Sequence, residues 1–357
     1  MILVAVFPPL AEDLGSLVRF LASQAEEVDR NAQWPGAQLR RLAAAGILRW
    51  YAPPDWNGIE FSPSAVLAAL SQLASGCLST TFCLTQPAGV VGRVAASDND
   101  DLKRRIIPEL LSGEKFASVG IAQLTTSRRH VRPVMRAREV GGRYVLDGVI
   151  PWVTGGAKAD YIVTGAVFDD GKQLLGVLPT DRPGVVVEPA AEMVGLTSTS
   201  TGPVRCEEVT LEPEWLLAPV MENVLKHGKG AGTGGLQTSA LALGTATAAI
   251  DYLKQEADAR IELRLPTAEL AEQCAALAAD LAAAADGVVG GVSSDDIRHR
   301  ANGLALRSAQ AALAAAKGSG YVVGHPAGRW CREALFFLVW SCPAPVQSAT
   351  LCELAKL

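Results

Sequence analysis

The sequence predicts an α+β protein in three parts: an N-terminal helical domain (1–115), a central antiparallel β-barrel or sandwich domain (116–220) and a C-terminal helix bundle (221–357). Three observations carry that reading. Apolar residues recur at spacings of 3 and 4 up to about residue 114. Between about 116 and 213 they give way to short β-rich runs punctuated by turn residues. From about 235 onward the chain is helical again and rich in alanine. Segregated helices and strands indicate α+β and exclude the alternating βαβ order of a dinucleotide-binding sheet.

The N-terminal helices are read from periodicity and punctuation. Leu39, Leu42, Ala43 and Ile47 fall on one helix face. The run Pro53-Pro-Asp-Trp-Asn-Gly58 breaks the chain, and Ser62-Pro63 reads as an N-cap followed by a first-turn proline. Helices are expected at 64–75, 78–93 and 102–111, the last behind Asp98-Asn-Asp-Asp101, whose acids suit a helix N-terminus. Strands are expected at 116–122, 143–149, 161–167, 174–178, 185–188 and 203–211, separated by Gly141-Gly142, Asp169-Asp-Gly171 and Arg182-Pro-Gly184. The closing helices are expected at 236–263, 267–286, 295–317 and 344–357, where small side chains permit close packing.

Composition bounds the function. The chain has 357 residues, 49% of them apolar and 19% charged, so it is long and apolar enough for a sizeable core. A net charge of −5 gives no general polyanion-binding surface, and no aromatic residues interleave the basic run, so nucleic acid is not expected as a partner. No stretch reaches the ~20 apolar residues of a membrane helix. The apolar opening Met1–Phe7 lacks the basic flank of a signal peptide. Seven scattered cysteines, an odd number, read as free thiols in a reducing, cytoplasmic setting.

The motifs divide sharply in value. Gly228–Gly235 contains a formal GxGxxG at Gly230, Gly232 and Gly235, but no strand precedes it, so it reads as a linker. Arg128-Arg-His-Val-Arg132, with Arg136 and Arg138, is the densest basic run; it suits either a coenzyme phosphate or a solvated, salt-bridged loop. The four histidines (130, 227, 299, 325) stand alone, so no metal site is expected. Cys77, Cys83, Cys331 and Cys342 read as small hydrophobes. In Asp147-Gly-Val-Ile-Pro-Trp152-Val-Thr154-Gly-Gly156, Trp152 and Thr154 alternate along a strand and would share one face. Such a face fits a flat conjugated cofactor or, equally on composition, a sandwich core.

Over most of its length the sequence resembles the acyl-CoA dehydrogenase superfamily of flavoproteins. The resemblance rests on Gly46-Ile-Leu48, Pro54-Asp-Trp-Asn-Gly58, Leu110-Leu-Ser-Gly-Glu114, Tyr144-Val-Leu-Asp-Gly148, Trp152-Val-Thr-Gly-Gly156, Trp215-Leu-Leu217, Lys317-Gly-Ser-Gly-Tyr321 and Arg332-Glu333. It implies FAD, with Trp152 against the isoalloxazine and the Thr154 hydroxyl near flavin N5. It implies Gly318 and Gly320 in a turn whose backbone approaches the FAD of a neighbouring subunit, hence a homodimer or homotetramer. It further implies an acyl thioester, on CoA or a carrier protein, as substrate, and a place in fatty acid metabolism.

The departures from the family pattern are as informative. The family's Thr-Glu-Pro…Gly-Ser-Asp loop becomes Ala122-Gln-Leu-Thr-Thr-Ser-Arg-Arg129, where Gln123, Thr125 or Ser127 stand in as flavin hydrogen-bonding residues and Arg128 as a phosphate contact to the substrate. The family's Arg-x-x-Phe-Gly, whose arginine reaches the partner's FAD, becomes Arg260-Ile-Glu-Leu-Arg264. The catalytic glutamate falls on Ser341, and the alternative base position, in Gly234–Ser239, has no carboxylate. A lone serine is no general base at neutral pH. Three readings follow: an acyl-thioester dehydrogenase with a displaced base, a flavin monooxygenase on the same scaffold, or a non-catalytic homologue that binds acyl-CoA or a partner protein.

Overall fold

The computed structural model describes residues 10–124, 135–227, 235–340 and 342–356. Helix α1 (Leu14–Arg30) opens on Asp13, whose carboxylate accepts from the Ser16 backbone N–H at 2.9 Å, and buries Leu14, Leu17, Leu21, Ala25 and Val28 on one stripe. It is followed by α2 (Gly36–Ala44), α3 (Pro63–Gly76), α4 (Leu78–Ala96) and α5 (Asp100–Ser112). The Ser62 hydroxyl caps α3 by accepting from Ala65 N–H at 3.3 Å, with Pro63 at the first helical position. Asn99 caps α5 in the same way, ahead of Asp100 and Asp101. Helix α4 is buried along most of its length, which explains why it shows little amphipathic pattern.

Seven strands follow: β1 (Ala117–Gly120), β2 (Met135–Val140), β3 (Arg143–Val153), β4 (Tyr161–Val167), β5 (Gln173–Pro179), β6 (Val185–Val187) and β7 (Gly202–Leu211). They form one sheet in the order β1-β4-β2-β3-β7-β6, with β5 paired to β4. The hairpin β2–β3 and the pairs β3–β7, β6–β7 and β4–β5 are antiparallel, as the turn signals imply. The sheet is nevertheless mixed, which corrects the all-antiparallel expectation: β1 runs parallel to β4, with Ala117 opposite Tyr161, and β2 touches β4 in parallel at Arg136 and Val167. Strand β2 lies where only a basic run was read.

The chain then returns to helices: α6 (Val224–His227), α7 (Gln237–Ala259), α8 (Arg264–Ala285), α9 (Ser294–Gly320), α10 (Pro326–Ala334) and α11 (Ala344–Ala355). Helix α10 is not anticipated by the sequence pattern. Helix α7 is the spine of this region, packed on α3, α8 and α9. Its contact with α3 is set by Gly244, where a Cβ would stand 2.2 Å from the Ser71 carbonyl oxygen. One buried apolar cluster therefore runs continuously from Leu17 through the sheet to Leu241 and Phe337. The N- and C-terminal helices share a core and hold the sheet between them. No helix among the described residues is long and apolar enough to cross a membrane.

Candidate functional site

The end of β3 carries the first group of site residues. Pairing of β3 with β7 is interrupted between Ile150 and Val153, and the strand stops at Val153. The alternation expected to place Trp152 and Thr154 on one face ends there. Trp152 keeps 54% of its surface exposed, whereas Thr154 is buried, with 5% exposed. The chain leaves Thr154 through Gly155 at φ +64°, where a Cβ would stand 2.5 Å from the Trp34 ring, so only glycine fits the turn.

The Thr154 hydroxyl is part of a buried row. Thr201 Oγ1 donates to Thr154 Oγ1 at 3.1 Å, and Thr199 Oγ1 lies 2.8 Å from Thr201 Oγ1. The backbone ties the same segments together, since Gly155 N–H donates to the Thr199 carbonyl at 2.9 Å. Neither Thr199 nor Thr201 belongs to a recognisable motif; their signal in the sequence is the hydroxyl-rich run Thr197-Ser-Thr-Ser-Thr201.

Gln123 is employed within the sheet. Its Nε2 lies 3.1 Å from the Gly120 carbonyl, 2.9 Å from Thr164 Oγ1 and 2.9 Å from the Gly165 carbonyl, bridging the parallel β1–β4 pair. Thr125, Ser127 and Arg128 lie outside the described residues, as do Gly230 and Gly232. Of the basic run, Arg138 is described and pairs with Glu208, Nη1 to Oε1 at 3.1 Å.

A second group gathers at the far end of the bundle. Lys317 adopts φ +55° and ψ −143°, breaking α9 one residue before Gly318. A Cβ at Gly318 would meet nothing, whereas Gly320 packs on Ala316 and Leu313, and Tyr321 beyond them is exposed. Arg260 reaches this corner, donating from Nη1 to the Ala315 carbonyl at 2.6 Å. Its guanidinium is flanked by Glu256 at 3.2 Å and Glu262 at 3.3 Å, and the hydrogen bond it donates to Glu262 leads the influences that raise its pKa. Arg260 is thus occupied by its own chain. The Arg260–Gly318 corner is brought together; no contact joins it to Trp152 or Thr154 among the described residues.

Ser341 lies outside the described residues, but the approach to it is described. Trp340 stacks on Phe336 at 5.0 Å between ring centroids and meets Phe82 of α4 edge-on at 4.7 Å. Two polar residues on the buried face of α9 grip this segment: Arg298 Nη2 donates to the Trp340 carbonyl at 2.8 Å and Asn302 Nδ2 to the Phe337 carbonyl at 2.9 Å. Burial pulls the Arg298 guanidinium down to about 10. The two carboxylates nearest in sequence are both committed. Glu333, with 1% exposed, pairs with Arg329 at 2.9 Å, and Glu353 pairs with Arg307 at 2.9 Å and His299 at 3.3 Å. No cluster of metal-ligating side chains exists among the described residues. A crevice of about 360 Å³ between α3, α7 and α8 is lined chiefly by alanine and leucine.

Comparison with known proteins supplies the remaining finding. Residues 17–114 match the family model "Acyl-CoA dehydrogenase, N-terminal domain". The chain is 22% identical over 251 residues to the mitochondrial short-chain specific acyl-CoA dehydrogenase of Bos taurus, covering 69% of this chain and 61% of that protein. Its matches to the curated relatives span about three-fifths of their length. Among solved structures, glutaryl-coenzyme A dehydrogenase in its glutaryl-CoA complex superposes with a TM-score of 0.82 at 19% identity, covering 97% of this chain and 96% of that one. The nitrososynthase of Micromonospora carbonacea var. africana superposes with a TM-score of 0.80 at 19% identity, covering 96% and 95%.

Proposed function

Because the chain belongs to the acyl-CoA dehydrogenase superfamily, we propose that it binds FAD at the end of β3 and acts as a flavin-dependent oxidoreductase on an acyl thioester. The observation that carries this reading is an indole left half exposed at the end of β3, Trp152, with the buried, hydroxyl-bearing Thr154 following two positions on in the chain. An apolar ring face and one oriented hydroxyl are what a planar, hydrogen-bonding heterocycle requires. The residues present therefore fit the group.

Bound FAD would supply the hydride-accepting chemistry at flavin N5 that no side chain can. The rest falls to the chain's own residues. Trp152 gives the ring a face to lie on and shields it from water. Thr154 offers a hydrogen bond donor. Gly318 leaves backbone open at a corner where a second copy can approach, as a homodimer or homotetramer requires, although Gly320 is buried against Ala316 and Leu313 and Arg260 there already holds two carboxylates and a carbonyl. Removal of a substrate α-proton is the weak step, because Glu333 and Glu353 are both bound to cations and the base position holds Ser341. Turnover as a dehydrogenase is consequently slow. The acyl carrier, CoA or a carrier protein, sets no visible constraint on the described residues.

A second reading, a flavin monooxygenase, draws support from the likeness to a nitrososynthase and from the missing carboxylate, which oxygen chemistry does not need. The deciding experiment is anaerobic addition of acyl-CoA to flavin-loaded protein. Bleaching of the yellow colour supports the dehydrogenase; no bleaching at any chain length, with oxygen uptake in the presence of a flavin reductase, supports the monooxygenase. Protein that takes up no flavin contradicts both and leaves a non-catalytic homologue.

A further inference from the structure

We propose that Thr201 and Thr199 are positioning residues that hold the Thr154 hydroxyl as a donor with its hydrogen unspent, so that this site prefers oxidised over reduced flavin; the proposal rests on the FAD reading above. The argument is a count of hydrogens. A hydroxyl has one hydrogen to give. The contact between Thr201 and Thr154 has Thr201 as donor at 3.1 Å, so Thr201 has none left for Thr199. The 2.8 Å contact between Thr199 and Thr201 must then be donated by Thr199. The row runs one way, Thr199 to Thr201 to Thr154, and the hydrogen of Thr154 is the one left over. Among the described residues it has no acceptor.

The surroundings hold this direction. Thr199 and Thr154 are buried and Thr201 keeps only 8% of its surface exposed, so water has little access to reverse the row. Thr199 closes a short turn, Thr197–Thr199, flanked by Leu196 at φ +60° and Ser200 at φ +49°, two left-handed conformations that non-glycine residues adopt only under constraint. The turn is pinned by Thr197 Oγ1 donating to the Met193 carbonyl at 3.0 Å and by Gly155 N–H donating to the Thr199 carbonyl at 2.9 Å. Residues 154–155 and 199–201 therefore move as one unit. A donor fixed in this way suits a ring nitrogen with a free lone pair and opposes one that carries a hydrogen, which is the difference between the oxidised and reduced ring.

The test compares FAD binding and midpoint potential in wild type, Thr201→Val, Thr201→Ser and Thr199→Val. Expected is a loss of affinity for oxidised FAD of roughly three- to tenfold in Thr201→Val, the scale of one hydrogen bond, with little change for reduced FAD and hence a higher potential. Thr201→Ser restores both, and Thr199→Val shifts both in the same direction by less. Equal weakening of the two redox forms, or failure of serine to restore them, overturns the proposal, because packing alone then explains the residues. Wild type that binds no FAD overturns the flavin reading instead. Should Thr201→Val not fold, Thr199→Val carries the same comparison.

Discussion

Arg329 on α10 reaches Glu26 on α1, 303 positions earlier in the chain, with Nε 2.6 Å from Oε1. The same guanidinium holds Glu333 at 2.9 Å, and Arg332 beside it binds Asp29 at 3.0 Å. First helix and late helix are thus locked by charge inside the protein. Removing one partner of a buried pair strands the other, at a cost of about 3–5 kcal/mol. Arg329→Met is expected to lower stability on that scale, whereas the double variant Arg329→Met with Glu333→Leu recovers most of it. Urea unfolding of the three proteins measures this; a double variant no more stable than the single one contradicts the account.

The base position offers a gain-of-function prediction. If the scaffold is intact and only the base is missing, Ser341→Glu increases acyl-CoA-dependent flavin reduction by about 10²–10⁴-fold, the usual worth of a general base. Stopped-flow reduction under anaerobic conditions reads the rate. A mutant that binds flavin and substrate yet gains nothing would locate the defect elsewhere.

The pair Arg182 and Glu212 gives a pH dependence. Hydrogen bonding from Arg182, Nη1 to Oε1 at 2.9 Å, holds the Glu212 carboxyl below its ordinary value of 4.5. A depressed folded-state pKa adds stability that is complete above the unfolded value and fades as pH falls through the folded one. The stability gap between wild type and Arg182→Met is therefore expected to be constant above about pH 5.5 and to shrink below about pH 4.5. Chemical denaturation across that range checks it; a gap that widens in acid refutes it.

Thiol reactivity follows from burial. Cys352 is exposed, whereas Cys77, Cys83 and Cys206 are buried, and burial pushes the Cys206 thiol up to about 12. Only the thiolate reacts. Alkylation of the native protein near about pH 8, read by peptide mass spectrometry, is expected to mark Cys352 early and those three only after unfolding. Early labelling of Cys206 would show that the β3–β7 face opens.

Much of the fold was legible because local chemistry dictates it. Strand β4 occupies 161–167, the stretch its apolar run predicts, and α3 starts at the Ser62-Pro63 cap. What escaped depends on partners distant in sequence. The parallel pairing of Ala117 with Tyr161 leaves no local mark, since parallel and antiparallel strands use the same residues. Strand β2 was hidden because its outward side chains include Arg136 and Arg138. Helix α10 was hidden because it buries Arg329 and Glu333, residues that sequence patterning assigns to the surface. At the proposed site, the resemblance pointed to Trp152 and Thr154, but their separate environments and the row Thr199–Thr201–Thr154 exist only once β3 and the 197–201 turn meet.

The central claim is that one FAD lies against Trp152. Its direct test is titration of flavin-free wild type and Trp152→Ala with FAD, following the yellow absorbance retained after gel filtration. The account predicts one flavin per chain in wild type and binding weaker by roughly three- to tenfold or more in the variant, the scale of lost aromatic contact, with folding unchanged because the indole is half exposed. Wild type that retains no flavin, or a variant that binds it as tightly, contradicts the claim.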